Sequence, residues 1–454
     1  MHAAGEPLEP AETLTRLILR GPDPGGRIGD VVADALAELG HDVLGMDCNM
    51  AKIADLNAGK APFYERDLDA LLAEHTASGR LRFTASYAEA AAHADLHFIG
   101  VGTPQSKTGN AYDLSQVFTA VRQLAPRLHR PAVIVGKSTV PVGTVPRIVD
   151  ILREFSPAAD RIEVAWNPEF LRESFAIEDT LRPDRIVMGF AGHHSRAETL
   201  LRQCYSKIID AGTPTIVTDL ATAELVKSAA NAFLATKISF INAMAEVCEA
   251  TGADVMELAE ALGHDTRIGR RGLRPGLGGG CLPKDIRGFM ARADELGAHQ
   301  ALAFLREVDA INNRRRERMV DLAREQCDGT LTGKRITIWG AAFKPDTDDI
   351  RDSPALHVAQ QLHQHGAEVT VSDPKALDSA RKTFPELDFI DDPITAAEGT
   401  DLLLHLTEWT QYTHIDPKPL VTRVTQAKII DGRGTLDPTR WRNAGWTYRA
   451  LGRP

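Results

Sequence analysis

The sequence is poor in the residues that build disulfide frameworks and structural metal sites. Its five cysteines, Cys48, Cys204, Cys248, Cys281 and Cys327, are odd in number, scattered, and never spaced as Cys-x-x-Cys. That spacing argues against a disulfide framework and a structural zinc site, and no metal is expected. No apolar run reaches the ~18 residues of a membrane span, and the stretch from Met1 to Thr13 is polar rather than signal-like. No basic tract stands out, and the net charge is −10, from 52 basic and 62 acidic residues. Nucleic acid is therefore not the expected partner. An anionic small molecule is still admitted, because it needs only a local positive pocket. These absences describe a soluble cytoplasmic chain, and 454 residues with 43% hydrophobic content can bury the cores of about three domains.

What is present is alternation. Short apolar strands are expected at Leu17–Leu19, Val43–Met46, Leu96–Val101, Ala132–Val135, Ile162–Ala165, Ile186–Met188 and Thr215–Val217. Helical patterns lie between them, at Val31–Leu39, Leu114–Leu124 and Val145–Glu154 among others. A long helical pattern runs from Leu220 to about Glu249, capped by Thr218 or Asp219, and another spans Phe289–Arg314. The pattern breaks near Cys327–Lys334, after which strands recur at Arg335–Trp339, Val369–Ser372, Leu402–Leu406 and Lys428–Ile430, with a helix at Ala355–Gln364. The expected fold is α/β: two doubly wound, Rossmann-like domains (1–218 and 329–454) joined by a long helix and a helical middle domain (219–328), with a cleft between them.

Glycine concentrates where chemistry is expected. In Pro275-Gly276-Leu277-Gly278-Gly279-Gly280-Cys281-Leu282-Pro283-Lys284-Asp285, four glycines precede a cysteine and a Pro-Lys-Asp triplet follows. Glycine permits close backbone approach or positive φ, and an accessible thiol there is a candidate nucleophile. Read alone, an ordinary turn carrying a buried, inert thiol competes with that reading. The turn from Gly21 to Gly29 leads from an expected strand into an expected helix, and Asp47 closes the next strand. Glycines at a helix N-terminus suit a pyrophosphate and the acid suits ribose hydroxyls, favouring NAD over NADP. A glycine-rich turn without a nucleotide competes here too, because Pro24 stands at the first glycine position of the fingerprint.

Gly100–Pro104, Gly136–Thr144 and Trp166–Glu173 each follow a strand, so they face one ligand crevice. Glu169 and Glu173, four apart, share a face if that segment is helical. Lys227 and Asn231 are spaced i, i+4 on an otherwise apolar helix, where burial is costly without partners and a lysine reaching water is the plain alternative. Lys344 and Arg351, between a strand and a helix, suit a phosphate-bearing ligand.

Taken together these stretches resemble the UDP-glucose/GDP-mannose dehydrogenase family, and within it the bacterial enzymes that act on UDP-glucose. The match runs from about Val31 to Arg453 and rests on Leu39–Val43, Gly102–Pro104, Lys137–Gly143, Asn167–Glu173, Ala223–Asn242, Cys281–Asp285 and Phe343–Pro354 in that order. The resemblance implies an NAD-dependent, four-electron oxidation of a nucleotide sugar at C6, UDP-glucose to UDP-glucuronate, with Cys281 forming the thiohemiacetal and thioester. It implies Lys227 and Asn231 as oxyanion donors, Asp285 and Thr139 as groups orienting water or a proton acceptor, and Glu173 as base for thioester hydrolysis. Gly26, Gly29, Asp47, Lys52, Thr103, Thr139, Glu173, Lys284 and Arg351 fall on cofactor positions. Glu169, Phe170, Leu171, Lys227, Asn231, Arg267, Leu273, Gly278 and Lys344 fall on substrate positions. A homodimer through the long helix is implied as well.

The chain departs from the family pattern at four places. Pro22 and Pro24 interrupt the phosphate turn, the loop before Cys281 is two residues short, Gly272 replaces a phenylalanine, and Ser174 replaces a glycine. These departures touch the cofactor turn and the substrate loop. They leave a second class of function open: a non-catalytic paralogue, or one acting on another UDP-hexose or GDP-mannose.

Overall fold

The computed structural model describes residues 15–19, 27–273, 275–276 and 279–453, without the side chains of residues 15–19, Ile28 and Cys281. The chain divides into two compact units, one ending at Ser228 and one running Ala229–Pro454.

The first unit is built on eight strands: β1 (Thr15–Leu19), β2 (Asp42–Met46), β3 (Leu81–Thr84), β4 (Leu96–Ile99), β5 (Ala132–Gly136), β6 (Ile162–Trp166), β7 (Ile186–Phe190) and β8 (Thr215–Asp219). Their order is β3-β2-β1-β4-β5-β6-β7-β8. Every residue of β4, β5 and β7 is buried, as expected of strands covered by helices on both faces. One face packs Leu44, Ile134 and Ile148 into a core, and the other packs Val43, Val133, Leu36 and Leu201. The strand order reverses between β1 and β4, the switch point at which open α/β sheets bind ligands. β6 and β7 meet antiparallel, through the pair Trp166 and Gly189.

The second unit carries β9 (Arg335–Trp339), β10 (Glu368–Ser372), β11 (Asp388–Phe389), β12 (Leu402–His405), β13 (Lys428–Asp431) and β14 (Thr447–Ala450). These are ordered β11-β10-β9-β12-β13-β14, with parallel pairings. The helix Leu220–Thr251, 32 residues long, contributes its first turns to the first unit and the remainder to the second. Asp219 caps it, accepting the N–H of Thr222 at 2.8 Å and the Thr222 hydroxyl at 2.7 Å. Among the described residues no helix is long and apolar enough to cross a membrane.

Two of the expected segments differ in the structure, and further strands are added. The single helix expected over Phe289–Arg314 is two, Cys281–Glu295 and Phe304–Gln326. Gly297 takes φ 76 and the Ala298 N–H bonds back to Ala293 at 2.8 Å, a closure that ends the first helix while the apolar periodicity continues. Asn167–Glu173 is not helical, so Glu169 and Glu173 do not share a helix face. The Glu169 carboxylate instead folds back on its own backbone, accepting the N–H of Phe170 at 2.8 Å and of Leu171 at 3.0 Å. Strands β3 and β14, with alternating burial at the edges of their sheets, were not expected.

The helix Arg27–Glu38 buries Asp34 completely, with the His75 Nε2 3.9 Å away and only 3.1 Å from Glu38. Burial, reinforced by Glu38 and Glu74, pushes the Asp34 carboxyl up to about 8. A carboxyl whose folded pKa lies above its unfolded value keeps its proton in the fold. The stability this provides is complete below the usual carboxylate value and is lost as pH rises toward 8. Asp34→Asn, neutral at every pH, is expected to gain on the wild type between pH 5 and pH 8, by roughly 2–4 °C in Tm for each kcal/mol relieved; thermal melts at the two pH values check it.

Candidate active site

The loops that leave β4, β5 and β6 gather a set of polar side chains in the first unit. Lys137 follows β5 and is 5% exposed. Its Nζ donates to Asn167 Oδ1 at 3.0 Å and to Tyr205 Oη at 3.2 Å, and lies 3.0 Å from Glu169 Oε2. Tyr205 donates to the same Asn167 oxygen at 2.8 Å, and Asn167 Nδ2 donates to the Val187 carbonyl at 2.8 Å. Burial alone lowers a lysine's pKa, but the Glu169 carboxylate and the Tyr205 oxygen outweigh it and hold Lys137 above its usual range. Burial likewise pushes the Tyr205 phenol up to about 12, so it stays a neutral donor. Both Glu169 oxygens are thus engaged within the protein, one by Lys137 and one by the N–H groups of Phe170 and Leu171.

Next to this cluster the Thr103 hydroxyl donates to the Thr139 carbonyl at 2.7 Å, tying two strand-end loops together. Glu224, buried in the long helix, accepts the N–H groups of Gly143 at 2.7 Å and Val145 at 2.8 Å. It thereby supplies from another element the cap that Gly143 lacks at the start of the helix Thr144–Phe155. One turn after Glu224, the Lys227 ammonium lies 5.6 Å from the Phe170 ring centroid, and the Arg185 guanidinium lies 3.9 Å from the same ring. The structure therefore brings Thr103, Thr139, Glu169, Phe170 and Lys227 to the carboxyl end of one sheet. Leu171 and Glu173 continue the loop that begins at Asn167.

Asp47 directly follows β2 and is fully buried. Its Oδ1 accepts the Asn49 N–H at 2.9 Å, and its Oδ2 lies 3.4 Å from Lys52 Nζ, which is also 3.3 Å from Asp30. A fixed acid at the end of the second strand, with a lysine beside it, fits a dinucleotide's ribose. Gly29 is buried in the first turn of the helix Arg27–Glu38. Gly26 and the rest of the phosphate turn lie outside the described residues.

In the second unit, Cys281 opens the helix Cys281–Glu295; its side chain lies outside the described residues, as does Gly278. One turn along, Asp285 is buried and held at both oxygens, by Asn231 Nδ2 at 2.5 Å and by Lys284 Nζ at 2.6 Å. Gly279 and Gly280 are packing residues. A Cβ on Gly279 meets Pro354 at 2.8 Å and the Asp352 carbonyl at 2.9 Å; one on Gly280, at φ 70, meets the Phe343 ring at 2.7 Å. Only glycine lets this loop lie on the Phe343–Pro354 segment. On that segment the Lys344 ammonium lies 5.6 Å from the Phe343 ring, and Arg351 forms a forked pair with the buried Asp349 at 2.6–3.0 Å. Gly276 is tethered through its N–H to Asn242 Oδ1 at 2.9 Å.

Two further candidate residues of the second unit have partners of their own. Arg267 is exposed and pairs with Asp265 two residues away, and Leu273 is buried in an apolar cluster with Ile241, Ala245 and Val255. The sequence reading included Lys137, Asn167 and Glu224 in its matching stretches without giving them a role, and it passed over Tyr205. A lone lysine directly after a fully apolar strand was the available signal for the first; Tyr205 and Glu224 gave none, because their partners are far along the chain.

Three consecutive stretches match the UDP-glucose/GDP-mannose dehydrogenase family: residues 25–209 its NAD binding domain, 221–314 its central domain and 337–438 its UDP binding domain. The chain is 41% identical over 432 residues to the UDP-glucose 6-dehydrogenase of Rhizobium meliloti (strain 1021), covering 94% of this chain and 98% of that protein. It is 38% identical over 440 residues to the UDP-glucose 6-dehydrogenase of Pseudomonas aeruginosa, covering 94% and 96%. Among solved structures, a UDP-glucose dehydrogenase from the archaeon Pyrobaculum islandicum superposes with a TM-score of 0.89 at 35% identity, covering 99% of this chain and all of that one.

Removing one member of a buried ion pair strands the other. Lys137→Met is expected to lower unfolding free energy by about 3–5 kcal/mol in denaturant titrations, and adding Glu169→Gln to recover most of the loss.

Proposed function

The chain belongs to the UDP-glucose/GDP-mannose dehydrogenase family, and on that premise we propose that it oxidises C6 of UDP-glucose twice, through the aldehyde to the carboxylate of UDP-glucuronate. It is an enzyme with NAD as its cofactor. The observation that carries the reading is the buried Asp285 carboxylate, held by Asn231 and Lys284 one turn beyond Cys281.

Two NAD+ molecules, bound one after the other, would each accept one of the two hydrides. In the first oxidation the C6 alcohol loses a proton and a hydride. The Cys281 thiolate then adds to the aldehyde carbon, and loss of the second hydride from the thiohemiacetal leaves a thioester. Water attacks the thioester carbon, the C–S bond breaks, and the carboxylate leaves with the thiolate restored. A position at a helix N-terminus favours that thiolate. Lys227 and Asn231 stabilise the oxyanion, a role that needs donors fixed before reaction. Glu173 serves as base for thioester hydrolysis, with Thr139 and Asp285 orienting water, and Asp47 and Lys52 receive the adenosine ribose. Thr103, Lys284 and Arg351 complete the cofactor contacts; Lys344, Phe170 and Leu171 reach the sugar nucleotide. Glu169 acts on the substrate through the backbone it folds around. We propose three domains, 1–218, 219–328 and 329–454, a reading supported by the matches of 25–209, 221–314 and 337–438 to three successive domains of the family.

A non-catalytic paralogue is the less favoured alternative, because Cys281, Lys227, Asn231, Asp285, Glu173 and Thr139 are all present. GDP-mannose or another UDP-hexose is the runner-up substrate. The long helix exposes Phe233, Phe240 and Val247, 67%, 48% and 52% accessible and seven residues apart. Such a stripe on one face suits a second copy of the chain. Phe233→Lys with Phe240→Lys is expected to reduce the mass in light scattering to that of one chain.

With UDP-glucose and saturating NAD+, the wild type is expected to release two NADH per sugar, and Cys281→Ser to form no UDP-glucuronate. A wild type that makes no more NADH than the variant sinks the proposal.

A further inference from the structure

We propose that Glu65 is the positioning residue that presents Glu173, a role that rests on the reading of Glu173 as the base for thioester hydrolysis. Glu65 lies just ahead of the helix Leu68–Ala77 and is 5% exposed. It reaches 109 residues along the chain, where its Oε2 accepts the N–H of Ser174 and its Oε1 the N–H of Ala176, each at 2.9 Å. Ser174 is buried and takes φ 70. That left-handed conformation is natural for glycine and strained for serine.

On the other side of Glu173, the Arg172 N–H donates to Asp179 at 2.8 Å. The Arg172 guanidinium grips the same carboxylate at 2.7 and 2.8 Å. Glu173 therefore stands between two residues whose backbones are each fixed by a carboxylate. The Asp179 hold is local and exposed. The Glu65 hold is buried, and charge-assisted bonds are strongest there. These two bonds keep Ser174 in a conformation its own side chain disfavours. Without them Ser174 relaxes to negative φ, and the peptide joining it to Glu173 turns over. A carboxylate buried against the N–H on both sides of a turn is a device for holding that turn, and the turn carries the candidate base.

Glu65→Gln keeps the size of the side chain but sets an amide NH2 against one of the two N–H donors. Hydrogen exchange at Ser174 and Ala176 is expected to quicken at least tenfold in Glu65→Gln. The kcat with UDP-glucose is expected to fall ten- to a hundredfold with KM within threefold, as a ~1 Å misplacement of a reacting group does. Because hydrolysis is the slowed step, a covalent sugar adduct on the enzyme is expected to build up in intact-mass spectra. Adding Ser174→Gly, which removes the objection to positive φ, is expected to restore part of the lost kcat. Wild-type exchange in Glu65→Gln overturns the proposal, as does a kcat loss with no adduct and no recovery on Ser174→Gly. Should Glu65→Gln not fold, Glu65→Asp, one methylene shorter, is put through the same measurements. A wild type that makes no NADH overturns the reaction instead, and the exchange rates at Ser174 and Ala176 still decide the clamp.

Discussion

The candidate site depends on buried carboxylates accepting backbone N–H groups from the loops that leave the strands. Such loops carry donors that neither sheet nor helix satisfies, and a buried donor without a partner is costly. Glu224 takes those of Gly143 and Val145, Glu169 those of Phe170 and Leu171, and Glu65 those of Ser174 and Ala176. In the second unit Asp373 does the same for Ala341, Ala342, Lys375 and Ala376 after β9 and β10. Each carboxylate thus converts a flexible connection into a fixed one, and it does so with charge-assisted bonds in a dry environment.

A buried carboxylate must itself be compensated. Lys137 neutralises Glu169, and the Asn167 and Tyr205 oxygens accept the remaining N–H donors of that ammonium. The network is fully partnered on the side described, the condition under which buried charge rigidifies a structure instead of weakening it. Asp285 is balanced in the same way by Lys284 and Asn231. Rigidity at these points has a use in catalysis, where donors aligned before the reaction need no reorganisation during it.

Much of this was legible along the chain. The strands β5, β6, β7 and β9 stand within a residue or two of where alternating apolar runs placed them, because a strand buried on both faces leaves a compact apolar signal. A cap at Thr218 or Asp219 was readable from residue type and place, and Asp219 takes the role. The stop at Gly297 was not, since the apolar period runs on through it and only the backbone conformation ends the helix. Asn167–Glu173 was open to a helical reading because two acids four apart fit a helix face. The fold-back of Glu169 on its own N–H groups competes with that geometry and wins at a strand end.

The sequence by itself determined the family, the cofactor class and the residue types at the candidate site, because those rest on motifs whose members lie close together along the chain. The loop ahead of Cys281 read there as a run of glycines with two readings; in three dimensions Gly279 and Gly280 lie flush on Phe343 and Pro354, where a Cβ has no room. The pairing of Lys137 with Tyr205, of Glu224 with Gly143 and of Glu65 with Ser174 was decided only by tertiary structure. These partners are 68, 81 and 109 residues apart. No local propensity or periodicity carries such a pairing, and only packing the sheet and its helices brings an acid to the donors it holds.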